Sequence, residues 1–303
     1  MKIFSGSSNK PLAEKIARAM GAELSPLEIF VFPDYEKRIQ IQERVVDEAC
    51  VVVQSTATPA AENYMELFFI IDGLKRSGAS QVTVVMPYVG YQRQDHIFRD
   101  GEAVSLDVVI TMLESLGTNK IIAFDMHSIK IPELFHIPVV HLSALPLFAE
   151  KIRELGEGVL VSPDMGGLRR ISKISELLDG TAWIAMVKDR DLATGHIEIS
   201  GIEGQNKDMD LSGKQMFLVD DMISSGGTIV KVAELLKEKG AMKISVFVTH
   251  AVLSHVAPKL LQESAIEAVY VTDSVFVPEE KRFGKLKILS IAEMVAKELK
   301  HSL

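Results

Sequence analysis

The stretch from Met216 to Val230, MFLVDDMISSGGTIV, constrains the fold of this chain more than any other part of the sequence. Its first four residues are apolar without polar alternation, which is typical of a strand buried on both faces of a parallel sheet. Two acids, then serines, glycines and a threonine follow, and a helical pattern begins after them. The stretch therefore predicts a strand, a short loop and a helix N-terminus, at the end of the strand where open α/β sheets bind ligands.

The loop combines groups that suit a phosphate with groups that repel one. Glycines let the backbone come close to a ligand, and the unpaired amides at a helix start attract an anion. The two acids would repel that anion unless a polyhydroxylated molecule or a divalent cation lies between them. A sugar phosphate satisfies both halves, and the residues predicted to bind it are Asp220, Asp221, Ser224, Ser225, Gly226, Gly227 and Thr228. A lone Ser-Gly-Gly-Thr would indicate only a β-to-α turn, but the apolar run and the acid pair favour a binding site.

Composition limits the class of protein. With 303 residues, of which 47% are apolar, the chain is long enough for two packed domains. A net charge of −8 argues against a nucleic-acid partner. The sequence has no apolar run long enough to cross a membrane and no apolar signal region, so we expect a cytoplasmic protein.

Strands and helices alternate along the whole sequence, and the second half repeats the plan of the first. A strand, a polar loop, a helix, a Gly-Ala pair and another strand occur around Gly78-Ala79 and again around Gly240-Ala241. This repeat predicts an α/β fold of two similar, doubly wound parallel-sheet domains, although any two β-α-β units share some likeness. We expect domains at residues 1–145 and 146–303, with the C-terminal segment packing back on the first domain.

The stretch from Met216 to Val230 resembles the 5-phosphoribosyl 1-diphosphate (PRPP) motif of type I phosphoribosyltransferases and ribose-phosphate diphosphokinases. Further segments resemble signatures of the ribose-phosphate diphosphokinase (PRPP synthetase) family and occur in that family's order. They are Phe32-Pro-Asp-Tyr-Glu36, Pro87-Tyr-Val-Gly-Tyr-Gln-Arg-Gln-Asp95, Gly101-Glu-Ala-Val-Ser105, Asp125-Met-His127, Ser162-Pro-Asp-Met-Gly-Gly167 and Lys188-Asp-Arg190. The resemblance covers nearly the whole chain, whereas a transferase needs only one such domain.

The resemblance implies that the β,γ-diphosphoryl group of ATP is transferred to the C1 hydroxyl of ribose 5-phosphate, giving PRPP and AMP. It implies catalytic roles for Lys188 and Arg190, at the head of a mobile lid over residues 191–210. It implies that Mg²⁺ on the ATP phosphates is held by His127 and Asp164. The ATP-contacting positions that it implies are Phe32, Asp34, Glu36, Arg93, Gln94 and Asp95.

Three of these positions, Phe32, Asp34 and Glu36, match an adenine clamp that reaches in from a neighbouring subunit, so the resemblance also implies a homo-oligomer. The chain departs from the family pattern at two places. Tyr35 stands where a glycine is usual, and Asp189 stands where a basic residue is common.

Two other functions are compatible with parts of the sequence. One is a catalytically silent, diphosphokinase-like subunit that regulates a partner, and the other is a phosphoribosyltransferase that consumes PRPP. The retained Lys188, Arg190, His127 and Asp164 speak against the silent subunit, which would not need them.

Overall fold

A computed structural model describes the backbone of residues 1–190, 197–254 and 256–301, with the side chains of these residues except 189, 190 and 197–199. The chain forms two compact units. Unit 1 contains Met1–Leu142, Ser274–Phe276 and Ser290–Leu303, and unit 2 contains Ser143–Asp273 and Val277–Leu289.

Unit 1 is built on a parallel sheet. In its described part, five strands lie in the order β1-β4-β5-β6-β7, and a separate antiparallel hairpin is formed by β2 and β3. The strands are β1 (Lys2–Ser5), β2 (Leu27–Val31), β3 (Lys37–Ile41), β4 (Ala49–Val53), β5 (Gln81–Val85), β6 (Lys120–Phe124) and β7 (Val139–Leu142).

Helices cover the sheet of unit 1 because its strands are apolar on both faces. Cys50 and Val52 of β4 pack in one cluster with apolar residues of α2 and α3, while Val51 and Val53, which alternate with them, are also buried. The helices of this unit are α1 (Lys10–Ala19), α2 (Ala60–Arg76), α3 (Ser105–Ser115) and, near residue 300, the helix Ala292–His301, which packs against α1.

Unit 2 is built on a larger sheet. Its described residues form seven strands in the order β10-β9-β8-β11-β12-β13-β14, in which β9 and β10 pair antiparallel and the other neighbours pair parallel. The strands are β8 (Val159–Ser162), β9 (Trp183–Arg190), β10 (Ile197–Glu203), β11 (Gln215–Ile223), β12 (Lys243–Ala251), β13 (Ala268–Thr272) and β14 (Leu286–Leu289).

Alternate residues of these strands pack into two separate cores. Met216 and Leu218 of β11 pack with one pair of helices, and Phe217 and Val219 pack with another pair. The first pair is α6 (Gly227–Glu238) and α7 (Ala257–Glu263), and the second is α4 (Leu145–Leu155) and α5 (Leu168–Leu177). The last helix of the chain, Ala292–His301 in unit 1, is α8. This arrangement confirms the predicted doubly wound α/β fold.

Two elements of unit 2 differ from the sequence-based expectation. β11 continues through Asp220 and Asp221 to Ile223, because β12 pairs with it as far as Ala251. The predicted lid at 191–210 contains β10 at Ile197–Glu203, paired with β9, while residues 191–196 lie outside the described residues.

Candidate active site

The predicted phosphate loop lies between β11 and α6. Gly226 precedes the helix with a φ of 78°, a left-handed conformation that glycine adopts without strain. The first amides of a helix have no partner within it, so they and the helix dipole favour an anion here. The amide of Ser254 donates to the carbonyl of Ser224 at 2.9 Å and so holds the loop in place.

The loop also presents hydroxyl groups beside these amides. Ser225 is exposed, and Ser224 and Thr228 are half-buried. These hydroxyls can donate hydrogen bonds to the same anion.

The predicted acid pair lies at the end of β11, just before this loop. The side chain of Asp220 is 18% exposed and that of Asp221 is 6% exposed. Arg170 contacts both of them: its Nη1 donates to Asp220 Oδ1 at 2.8 Å, and its Nη2 lies 3.5 Å from Asp221 Oδ1. A cation that bridges the pair reduces the repulsion between the two carboxylates.

The protonation of the acid pair is shifted by this environment. Burial, and next the charge of Asp221, raise the pKa of Asp220 above its ordinary value of 3.8, and Arg170 opposes that rise. Burial disfavours the charged form of a carboxyl, whereas donors that bind it favour that form. A ligand that brings hydrogen-bond donors or a cation to this pair would therefore favour its ionised state.

Sequence reasoning missed Arg170. It lies fifty residues before Asp220 in the chain, three positions after the recognised segment that ends at Gly167. A usable signal did exist, because two adjacent buried acids require a nearby cation, and Arg169 and Arg170 open the helix that follows another strand-end turn.

Asp164 and Lys188, predicted for different roles, contact each other. Asp164 follows β8 and caps a short 3₁₀ turn, with its Oδ1 accepting from the Gly167 amide at 3.2 Å. Lys188 in β9 donates from Nζ to Asp164 Oδ2 at 3.0 Å. The lysine side chain is 15% exposed and the aspartate side chain 43%, so Asp164 keeps a solvent-facing carboxylate.

Arg190, the second predicted catalytic cation, ends β9, and its side chain lies outside the part of the chain that is described. The same holds for the side chain of Asp189.

The predicted adenine clamp lies at the tip of the β2–β3 hairpin in unit 1. Phe32 is 38% exposed and packs edge-on against Phe30, with 5.0 Å between the ring centroids. Asp34 Oδ1 accepts from the Glu36 amide at 3.3 Å. Tyr35 has a φ of 69° and is 85% exposed, so the turn keeps a left-handed residue although it lacks glycine.

The segment with Arg93, Gln94 and Asp95 lies in unit 1 beside the loop that carries His127. Arg93, Gln94 and His127 are exposed. Gln92, which sequence reasoning did not select, is buried and its Oε1 accepts from the His127 amide at 2.9 Å. This hydrogen bond ties the two segments together.

His127 lies in unit 1 and Asp164 in unit 2. Across the described ranges, no three His, Cys, Asp or Glu side chains are grouped in a way that could hold a metal ion. No helix in these ranges is long and apolar enough to cross a membrane.

Comparisons with known proteins match both ends of the chain. Residues 1–117 match the N-terminal domain of ribose phosphate pyrophosphokinase, and residues 205–302 match the phosphoribosyl synthetase-associated domain. A ribose-phosphate pyrophosphokinase of Fusobacterium nucleatum subsp. nucleatum is 39% identical over 98% of this chain and 93% of its own length. Ribose-phosphate pyrophosphokinase 2 of Enterococcus faecalis is 39% identical over 99% of this chain and 92% of its own.

A solved structure agrees with these relatives. The crystal structure of phosphoribosylpyrophosphate synthetase from Mycobacterium smegmatis matches with a TM-score of 0.91 and 32% identity, over 99% of this chain and 98% of that chain. The resemblance identified from the sequence is thereby confirmed. This chain belongs to the ribose-phosphate pyrophosphokinase family and is an enzyme of that family.

Proposed function

We propose that the protein transfers the β,γ-diphosphoryl group of ATP to the C1 hydroxyl of ribose 5-phosphate, giving PRPP and AMP. The observation that carries this proposal is the acid pair bridged by Arg170 directly before a phosphate loop. Membership of the ribose-phosphate pyrophosphokinase family supports the same reaction.

Ribose 5-phosphate binds at the end of β11. Asp220 and Asp221 accept hydrogen bonds from ribose hydroxyls, since ionised carboxylates are acceptors only. The phosphate binds to the first amides of α6 and to the hydroxyls of Ser224, Ser225 and Thr228. The left-handed Gly226 supports this placement because it lets the backbone turn at the helix start.

ATP binds to segments of unit 1. Arg93, Gln94 and Asp95 contact the nucleotide, a role supported by the exposure of Arg93 and Gln94. Phe32 stacks on the adenine, while Asp34 and Glu36 accept its amino hydrogens.

His127 and Asp164 would hold Mg²⁺ that is carried by the ATP phosphates. A hard cation carried by phosphates needs only one or two protein ligands, and it prefers oxygen. The carboxylate of Asp164 is partly exposed and fits this requirement. His127 is exposed and would provide the second protein ligand. When bound, the cation neutralises negative charge on the phosphates.

Lys188 and Arg190 stabilise the transferring group. The C1 oxygen of ribose forms a bond to the β-phosphorus, the bond from that phosphorus to the AMP oxygen breaks, and the hydroxyl proton is released. Negative charge moves onto phosphoryl and AMP oxygens during this step. A lysine that meets these oxygens stabilises the transition state more than the ground state, and Lys188 lies on a strand of the unit that carries the sugar site.

The protein acts as a homo-oligomer in which the hairpin of one copy completes the ATP site of a neighbour. The surface of this hairpin supports the proposal: Phe30, Val31 and Phe32 are more than a third exposed. A cavity of about 760 Å³ lies between the hairpin and α2 and is lined in part by Val31, Met65 and Phe69. Exposed apolar surface of this kind is typical of protein–protein contact sites.

The working domains correspond to residues 1–145 and 146–303, with the C-terminal segment on the first domain. The grouping of residues 290–303 with unit 1 supports the placement of the C-terminal segment. We assign the protein to the cytoplasm, where ATP is supplied.

One incubation tests the proposed reaction against both alternatives. Purified protein is mixed with ATP, Mg²⁺ and ribose 5-phosphate, and the products are separated by chromatography. AMP and PRPP should appear in equal amounts, and Asp221→Ala should lower this rate at low ribose 5-phosphate. No AMP would indicate a silent subunit, and consumption of added PRPP with a nucleobase would indicate a transferase.

A further inference from the structure

Arg170 contacts two neighbouring carboxylates with one side chain. Its Nη1 lies 2.8 Å from Asp220 Oδ1 and its Nη2 lies 3.5 Å from Asp221 Oδ1. The arginine side chain is 18% exposed, as is that of Asp220. Such a largely desolvated pair is more sensitive to the loss of one partner than a surface ion pair is.

We propose that Arg170 is a positioning residue that fixes Asp220 and Asp221 to receive the neighbouring C2 and C3 hydroxyls of the sugar, and so makes the site prefer ribose 5-phosphate over 2-deoxyribose 5-phosphate. The inference rests on the proposed sugar-phosphate site and assigns its selectivity to a residue outside the phosphate loop.

The shape of the guanidinium explains why an arginine suits this position. Two nitrogens of one planar group can meet two carboxylates at once, whereas a lysine presents a single point charge. Asp220 Oδ1 also accepts from the Asp221 amide at 2.9 Å. Two donors of fixed direction on this oxygen hold the orientation of the Asp220 carboxylate.

Fixed acceptors create selectivity because a missing hydroxyl leaves a buried acceptor without its partner. Sites built to bind a hydroxyl reject the analogue that lacks it far more strongly than apolar sites reject a change in size. An acid pair that could rotate freely would instead find other donors, such as water, and would discriminate less.

A tight turn positions Arg170. Gly167 lies directly before α5, and a Cβ added there would lie 2.3 Å from Ser162 Oγ and 3.5 Å from Arg170 Nη1. The turn therefore packs closely against the end of β8, and only a residue without a side chain fits. Asp164, at the start of the same turn, pairs with Lys188, so this turn connects the sugar site with the proposed catalytic lysine.

Three variants test the proposal. Arg170→Met removes the charge, Arg170→Lys keeps the charge without the fork, and Arg169→Met is the matched control because Arg169 is the exposed neighbour on the same helix. For each, KM and kcat are measured for both substrates, with 2-deoxyribose 5-phosphate as the competing sugar. Binding of ribose 5-phosphate alone is measured by calorimetry, and a melting curve checks folding.

We expect Arg170→Met to weaken ribose 5-phosphate binding by about 10- to 100-fold, the range for lost hydrogen bonds to charged groups. The KM for ATP should change by less than about twofold, because the acid pair binds only the sugar. The preference for ribose over 2-deoxyribose should fall in both Arg170 variants, while Arg169→Met should resemble the unchanged protein. Arg170→Lys keeps the test decisive if the methionine variant fails to fold.

Other results overturn the proposal. Unchanged sugar binding and unchanged selectivity in both Arg170 variants would show that the bridge does not position the acids. A loss confined to kcat would mean that Arg170 acts on the transferring group instead. Calorimetry separates this inference from the proposed reaction. If the unchanged protein binds ribose 5-phosphate but makes no PRPP, and Arg170→Met weakens that binding, the positioning role is retained and the proposed reaction is refuted. Failure of the unchanged protein to bind ribose 5-phosphate would refute the positioning role as well.

Discussion

The carboxyl of Asp220 makes the stability of the folded protein depend on pH. Its surroundings raise the pKa of its carboxyl above the ordinary value of 3.8, mainly through burial and then through Asp221. The folded protein therefore holds this proton at pH values where the unfolded chain has already released it. Under linkage, stability then falls as pH rises from about 4 towards the raised pKa of the folded state.

The first prediction follows from this fall in stability with rising pH. Melting temperatures of the ligand-free protein are measured at several pH values for the unchanged chain and for Asp220→Asn. The asparagine cannot ionise, so its curve should lose less stability between about pH 4 and neutrality. Only the slope is compared, because the substitution also changes the level of stability. Parallel curves would show that the pKa of Asp220 is not raised.

Tyr35 carries backbone strain at the hairpin tip. A non-glycine residue at positive φ costs about 1 to 2 kcal/mol, and Tyr35 has a φ of 69° with an 85% exposed side chain. Tyr35→Gly should therefore be neutral or stabilise by up to about 1 kcal/mol after the entropy of glycine in the unfolded chain is included. Tyr35→Val should destabilise, since β-branched residues fit positive φ poorly. Denaturant midpoints that fall from the glycine variant through the unchanged protein to the valine variant would agree with this strain. A valine variant more stable than the unchanged protein would contradict it.

Site residues that lie close together in the sequence could be proposed from it, whereas contacts between distant residues could not. The acid pair and the loop through Thr228 form one continuous stretch, so their residue types and spacing indicate a sugar phosphate directly. Arg170 lies fifty residues from its partner Asp220, and only the packing of α5 beside β11 brings them together. Gln92 is a similar case, because its contact with the His127 amide joins the loop after β5 to the loop after β6.

At the scale of elements, continuous apolar runs in the sequence coincide with strands that are buried on both faces. The apolar runs Cys50–Val53, Ile121–Phe124 and Val159–Val161 fall in β4, β6 and β8, and all their residues are buried. β10 was missed because residues 191–210 were interpreted as a polar, glycine-containing lid, whereas Ile197–Glu203 pairs antiparallel with β9. β11 was predicted too short because Asp220 and Asp221 suggested a loop, whereas pairing with β12 extends the strand past them.

β9 supplies the element-scale prediction, because it carries Lys188 beside Asp164. Lys188→Ala should lower kcat by about 10²- to 10³-fold, or roughly 3 to 4 kcal/mol, as for other removed charge-stabilising donors. Neither KM should rise comparably, because charge develops only in the transition state. Steady-state kinetics measure this, and the double variant with Arg190→Ala should lose less than the product of the single losses.

Lys207 offers the matched control for Lys188. Its side chain is 49% exposed and pairs with Glu203, so Lys207→Ala should change kcat by less than about twofold, as expected for a surface ion pair. A near-normal kcat in Lys188→Ala, with an unchanged melting curve, would remove the catalytic assignment and leave the sugar site intact.

At the scale of the whole molecule, the proposed clamp makes activity depend on concentration. If Phe32, Asp34 and Glu36 complete a neighbour's ATP site, a lone copy lacks them, and dilution should lower activity per chain as subunits separate. Light scattering at each concentration measures the association state alongside the rate. Phe32→Ala should raise the KM for ATP while leaving the KM for ribose 5-phosphate nearly unchanged. Full activity in a protein that scatters as a monomer would refute the shared site.

The order of synthesis differs from the order in which the two units can be completed. Unit 2 is finished once residue 289 has been made, whereas unit 1 also needs residues 290–303, where α8 packs against α1. The earlier part of the chain must therefore wait for the later part during translation, although domains generally fold in the order in which they emerge from the ribosome. Until then, α1 lacks the contacts that α8 makes with it in the finished protein. The unit whose synthesis begins first is therefore the last of the two to be completed.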